Sequence, residues 1–203
     1  LIRAVAGLWP WGRGEIAMPA GWRVMFLPQT PYLPPGTLHG CLAYPAEAEA
    51  LDRETAVTVM RRVGLDHLVD RLDEEDRWDH VLSGGERQRV AFARVLIEKP
   101  DLVVMDEATS ALDEASQTKV MEAFLKDLPE AALVSVAHRP SLAAFHSRTL
   151  TLKRQAGGVR LVRGDRVGRR LEGGVGRWLT TLGGIRRVEA ATDGTERARL
   201  RVP

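Results

Sequence analysis

The chain has 203 residues, 44% of them hydrophobic, a formal net charge of +2 and a single cysteine, Cys41. That length buries one sizeable core, with room for a subdomain. One cysteine excludes an intrachain disulfide and a paired-cysteine zinc site, and no apolar run approaches the ~20 residues of a membrane-spanning helix. The charge is uneven: residues 1–150 hold 16 basic and 22 acidic side chains, whereas residues 151–203 hold 13 basic and 5 acidic.

In chain order, Leu1 to Leu8 is helix-like, with Leu1, Val5 and Leu8 on one face and no capping residue ahead of them. Gly12 to Gly21 reads as turn-rich. Arg23 to Leu27 reads as a strand leading into Pro28 and Gln29, and the proline-rich PYLPPGTLHGCLAYP that follows cannot be a continuous helix. Asp52 to Leu65 places Ala56, Val59, Met60 and Val63 at helical spacing, and a second amphipathic piece surrounds His67 to Leu72. Asp73 to Asp79, with five acids around Arg77 and Trp78, reads as a solvated loop, and His80 as an exposed histidine.

The richest stretch is LSGGERQRVAFARVLIEKPDLVVMDEATSALD, from Leu82 to Asp113. Ser83, Gly84 and Gly85 supply a hydroxyl and two bare backbone positions ahead of a strongly helical run, Glu86 to Glu98. Free N–H groups at a helix start favour an anion such as phosphate, and glycine lets the backbone approach it. Leu102 to Met105 reads as a buried parallel strand that delivers Asp106 and Glu107 at its carboxyl end, the edge where open α/β sheets bind ligands. Two adjacent acids there can divide the work, one holding Mg²⁺ and the other polarising water.

Farther on, Val120, Met121, Phe124, Leu125 and Leu128 mark a helix packed on the sheet. Ala132 to Val136 reads as another buried strand, ending at Ala137, His138 and Arg139. A histidine in that position suits stabilisation of a transferring phosphoryl group. Arg148 to Lys153 and Gly158 to Val162 read as a hairpin. From Gly164 onward the Gly- and Arg-rich sequence has weak periodicity and reads as a mobile, poorly packed extension, the alternative being a contact surface for anionic lipid headgroups or acidic partners.

LSGGERQ resembles the signature motif of ABC transporter nucleotide-binding domains, VVMDE their Walker B strand with its glutamate, and SALD their D-loop. The resemblance implies an α/β fold: a P-loop NTPase-like parallel sheet core with an inserted helical subdomain. On that reading, residues 1–150 are the ATPase domain, 31–99 its helical subdomain, and 151–203 a basic extension. It further implies ATP and Mg²⁺ as cofactors. Ser83, Gly84 and Gly85 then hold the γ-phosphate of an ATP bound to a second copy of the domain. Asp106 and Gln29, which resembles the Q-loop glutamine, position Mg²⁺. Glu107 acts on water, His138 matches the switch histidine, and Asp113 relays between sites. LIRAVAGLWPWGRGEI looks like the continuation of a Walker A helix, yet the loop G-x-x-x-x-G-K-[ST] that precedes such a helix in the family is absent, so the chain is read as truncated at its amino end. FLPQTPYLPPGTL and GLWPWGRGEI resemble a subgroup with the membrane part fused ahead of the ATPase, of the peroxisomal fatty-acyl and bacterial cobalamin or peptide types.

The expected function is therefore ATP hydrolysis that powers transport in an ATP-sandwich dimer, at the cytoplasmic face of a membrane, with a transmembrane domain and a second nucleotide-binding domain as partners. Two alternatives are an ABC-type ATPase acting on DNA and a catalytically dead remnant serving as a partner domain. Against the first stand the acidic body, the lack of a long heptad insertion and the lack of paired cysteines, so no nucleic acid is expected.

Overall fold

The computed structural model describes residues 2–9, 11, 14–155, 158–163 and 197–202. A short helix, α1 (Ile2–Val5), precedes strands β1 (Gly14–Pro19) and β2 (Val24–Leu27). Between β2 and the next core strand lies a mostly helical segment. It contains the two-residue strand β3 (Gly36–Thr37), α2 (Leu38–Ala43), α3 (Arg53–Val63), a 3-10 turn at Asp66–Arg71, the two-residue strand β4 (Glu75–Asp76), α4 (Trp78–Val81) and α5 (Gly84–Glu98). Then follow β5 (Leu102–Asp106), α6 (Glu114–Asp127), β6 (Ala132–Val136), a 3-10 turn at Pro140–Phe145, the hairpin β7 (Leu150–Gln155) and β8 (Gly158–Arg163), and β9 (Arg197–Val202).

The central sheet is parallel, in the order β2-β5-β6, with Leu102 opposite both Val24 and Ala132. Strand β5 is buried from Leu102 to Met105 and surfaces only at Asp106, the pattern of a strand covered on both faces. One face packs on a core that includes Val103, Met105, Phe92, Val95, Met121 and Phe124. The other, through Leu102, Val104 and Ala132, meets Ile2, Val5, Met18 and Trp22.

Local chemistry explains the helix limits. Asp52 caps α3 by accepting from the Thr55 N–H at 2.8 Å, and Gly64 ends it at φ +78°, a conformation that suits glycine. All four residues of the expected apolar face, Ala56, Val59, Met60 and Val63, are buried. At the far end of α5, Lys99 turns left-handed ahead of Pro100. There the Arg23 guanidinium donates to the Glu98 and Lys99 carbonyls at 3.0 and 2.6 Å, while the Arg23 N–H donates to Asp101 at 2.8 Å. A cation on the carbonyl end of a helix complements its dipole, and here it ties α5 to the entry of β2.

Three sequence expectations change. Trp78, read as part of a solvated loop, is fully buried: its Nε1 donates to the Glu74 carbonyl at 3.2 Å and the Arg71 guanidinium lies 4.8 Å from its ring. Asp73 to Asp76 stay exposed and Asp79 is half-buried, so only the aromatic turns fully inward. Gly14–Pro19, within a stretch read as turns, is a strand. It pairs antiparallel with Arg197–Val202, part of the extension read as poorly packed, where Ala198, Leu200 and Val202 alternate with other residues at strand period. The rest of that extension, residues 164–196, lies outside the described residues. Cys41 is fully buried, and burial pushes its thiol up to about 11.

Candidate functional site

The carboxyl ends of the three adjoining parallel strands open onto one edge of the sheet. Gln29 follows β2, Glu107 follows β5 and His138 follows β6, so strand order alone brings three residues far apart in the chain to neighbouring positions. Their side chains meet. Gln29 Nε2 donates to Glu107 Oε2 at 3.2 Å, and His138 Nε2 lies 3.2 Å from Glu107 Oε1. Each carboxylate oxygen thus faces a different partner. With its Nε2 turned to Glu107, Gln29 keeps its carbonyl oxygen for another contact. His138 is 86% exposed in its side chain, against 31% for Glu107, leaving the imidazole open to an incoming group.

Glu107 has φ +50°, a left-handed conformation in which a residue with a Cβ costs roughly 1–2 kcal/mol. Two backbone bonds hold it there: its N–H donates to the Val136 carbonyl at 2.9 Å, and its carbonyl accepts from the Ser110 N–H at 2.9 Å. Strain of this kind persists only where the surroundings over-determine it, and it clusters at functional positions.

Asp106, the last residue of β5, is exposed beside this group. Its carboxylate and the Gln29 carbonyl oxygen are hard oxygen donors of the kind Mg²⁺ prefers. Mg²⁺ takes one or two protein ligands and completes its shell with waters and phosphate oxygens. Among the described residues no group of three or more His, Cys, Asp and Glu side chains is disposed around a metal, and an ion held in this way needs none.

The glycine-bearing helix start is a second, separate element. Ser83 is the N-cap of α5: its hydroxyl accepts from the Glu86 N–H at 3.3 Å, and its own N–H and hydroxyl donate to Glu86 Oε2 at 2.8 and 2.7 Å, a complete capping box. His67 Nε2 meets the other Glu86 oxygen at 2.7 Å. Partial burial works against ionisation of Glu86, but the Ser83 hydroxyl, His67 and the Ser83 N–H together hold its carboxyl down at about 2. Gly84 and Gly85 rest on the D-loop. A Cβ on Gly85 would lie 3.0 Å from the Ala111 carbonyl oxygen, and one on Gly84 3.2 Å from the Ala111 Cβ. These glycines therefore permit close helix-to-loop packing as well as backbone approach to a ligand.

Asp113 is N-cap of α6 and accepts from the Ser116 N–H and hydroxyl at 2.7 and 3.0 Å, contacts that lower its pKa. Neither it nor Ser83 touches Glu107 within the chain; among the described residues the structure brings together Gln29, Glu107 and His138 only. Two residues not singled out from the sequence join these elements. Gln88, in the second turn of α5 and 1% exposed, reaches the Gln29 loop, Glu107 and the D-loop at once. Arg139, next to His138, donates to the D-loop carbonyls of Ser110, at 2.7 Å, and Leu112. Arg139 follows a recognisable histidine, and Gln88 closes LSGGERQ, although nothing in that motif tells that its side chain is interior.

A parallel sheet whose carboxyl edge gathers a carboxylate, an amide and an imidazole, with helices packed on it, defines an α/β domain of the P-loop NTPase kind. The family model described as ABC transporter matches residues 5–110, and the chain belongs to that family. Over 153 residues it is 39% identical to an uncharacterized ABC transporter ATP-binding protein of Haemophilus influenzae, covering 75% of this chain and 26% of the relative. It is 38% identical over 165 residues to the lysosomal cobalamin transporter ABCD4 of Mus musculus, covering 75% of this chain and 27% of that protein. A solved bacterial Atm1-family ABC exporter with ATP bound superposes with a TM-score of 0.57 at 27% identity, over 63% of this chain and 23% of the exporter. The chain thus spans about a quarter of the length of these relatives.

Proposed function

We propose that this chain is the nucleotide-hydrolysing part of a transporter, in which ATP bound between two copies of the domain is cleaved to power movement of a substrate across a membrane, at its cytoplasmic face. The observation that carries the reading is Glu107, a carboxylate on a left-handed backbone, gripped by Gln29 on one oxygen and His138 on the other. A carboxylate in that setting orients a water molecule and accepts its proton as the water oxygen attacks. Residues 1–150 form the ATPase domain, with 31–99 as its helical subdomain and 151–203 as an extension.

Mg²⁺ supplies charge neutralisation on the β- and γ-phosphates when bound. Asp106 and the Gln29 carbonyl oxygen are the residues that would hold it. Gln29 then bridges metal and base, since its amide nitrogen already meets Glu107. His138 donates to the transferring phosphoryl from the exposed side of the carboxylate. Ser83, Gly84 and Gly85 present a hydroxyl and amides to the γ-phosphate of the ATP on the partner copy, favoured by the positive end of the α5 dipole. Asp113, by capping α6, sets the end of the D-loop that runs between the two sites. The likeness to a solved ABC exporter, of which this chain covers 23%, supports a transmembrane partner.

Glu107→Gln tests the reading in the assembled transporter. It keeps shape and hydrogen bonding but removes the charge, so turnover falls by about 100-fold or more while ATP binding persists and the dimer stays closed on it. Hydrolysis at the parental rate by the Gln variant would refute the role of Glu107.

A further inference from the structure

Gln88 Nε2 donates to the Gln29 carbonyl at 2.9 Å and to Ser110 Oγ at 3.3 Å, and lies 3.5 Å from the Glu107 carbonyl. Its Oε1 accepts from the Ala111 N–H at 3.0 Å. The side chain is fully enclosed and hangs from α5, five residues after the N-cap Ser83. One amide therefore touches the loop after β2, the residue after β5 and the D-loop, from a helix whose start is the phosphate-binding element. An amide nitrogen has two protons, and here three acceptors surround it. A small axial or rotational shift of α5 consequently changes how those protons are shared between Gln29, Glu107 and Ser110.

The backbone of Glu107 makes this sharing consequential. Its left-handed conformation is strained, and its carbonyl is the atom to which Gln88 and the Ser110 N–H both point. Loosening that carbonyl lets the peptide relax and moves the carboxylate away from Gln29 and His138. The close packing of Gly85 on Ala111 gives α5 and the D-loop little slack, so movement of one is passed on to the other.

From this geometry we infer that Gln88 is a positioning residue that ties the phosphate-binding start of α5 to Glu107 of the same chain. This rests on the shared-site reading above, in which Ser83 to Gly85 serve one ATP and Glu107 acts on the other. Engagement of phosphate by Ser83 to Gly85 at one site then sets the geometry of Glu107 at the second. Gln88 is the link through which the two sites sense each other.

The test is steady-state ATP hydrolysis by the assembled transporter carrying Gln88→Met, which conserves volume and removes both functions of the amide. The expected result is a kcat about 10-fold lower, a KM within about 2-fold of the parent, and a Hill coefficient that drops toward 1 from a parental value above 1. A residue that served packing alone would lower the yield of active protein and leave the Hill coefficient of the remainder unchanged. If Gln88→Met shows no cooperative melt, Gln88→Glu is read instead, since it keeps the shape and the acceptor for Ala111 and loses the donors. Parental kcat and Hill coefficient in a folded variant overturn the inference alone. Failure of both variants to fold overturns it in favour of a structural role. Absence of hydrolysis by the parental transporter overturns the ATPase reading itself, and this inference with it.

Discussion

The start of α5 and the end of β5, to which the proposed function gives the two halves of a phosphate site, are made in opposite ways. At the helix start the cap itself is local: Ser83 and Glu86 satisfy each other within one turn, with His67 on the other Glu86 oxygen, and no residue there has a positive φ. At the strand end Glu107 has a positive φ and depends on Gln29, 78 residues away, on Gln88, 19 away, and on the carbonyl of Val136. The first element is stable by itself and waits for a ligand. The second is held under strain by its neighbours, so it is the part that can change state. On the proposed reading, a site shared between two copies uses one of each.

The largest stability effect separating them is expected at Glu86. Its carboxyl is held at about 2 against an ordinary 4.5, so the ionised form stabilises the folded chain. The contribution is complete above pH 4.5 and disappears as the pH falls toward 2. With the side chain one-fifth exposed, a discounted value is about 2 kcal/mol. Glu86→Gln should therefore lower the unfolding free energy by that amount at pH 7, and the gap to the parent should close on acidification. Denaturant titrations across that pH range give the answer, and a pH-independent gap would mean that the cap does not rest on charge.

Gly85→Ala probes the seam between the two elements. A helix position gains up to ~1 kcal/mol from alanine over glycine, but the new Cβ would lie 3.0 Å from the Ala111 carbonyl oxygen. That peptide cannot retreat freely, because the Ala111 N–H is bonded to Gln88. A net loss of about 1 kcal/mol follows, readable by thermal melting. A net gain would show that the D-loop yields, and would weaken the case for a rigid connection.

Sequence legibility follows the same division. The capping box at Ser83, the apolar face of α3 and the limits of β5 and β6 depend on residues within a turn or a strand of one another, and all are readable. The meeting of Gln29, Glu107 and His138 depends on strand order, which periodicity does not reveal; the motif resemblance supplied their roles alone. Gln88 closes the LSGGERQ motif, but its burial was not legible because a glutamine in a run of helix formers looks like surface; only the packing of α5 under two loops makes it interior. Trp78 was hidden by the acids around it, whose solvation says nothing of a ring that points the other way. The pairing of Gly14–Pro19 with Arg197–Val202 joins opposite ends of the chain, and the glycines and charges around both segments masked their alternation.

Glu107→Gly is expected to change stability least and to sharpen the contrast most. The substitution relieves a left-handed conformation that costs roughly 1–2 kcal/mol. It adds about 0.5–1 kcal/mol of chain entropy to the unfolded state and removes two partly exposed contacts, to Gln29 and His138, each contributing about 0–1 kcal/mol. These terms nearly cancel, so the unfolding free energy should stay within about 1 kcal/mol of the parent although the carboxylate is gone. Glu122→Gly, in the middle of α6 where the backbone is ordinary helix, is the control and should cost about 1 kcal/mol. Urea denaturation of both variants beside the parent decides the matter. If Glu107→Gly proved more than about 2 kcal/mol less stable than the parent, Glu107 would be stabilising the fold rather than straining it, and the strand end would be no more poised than the helix start.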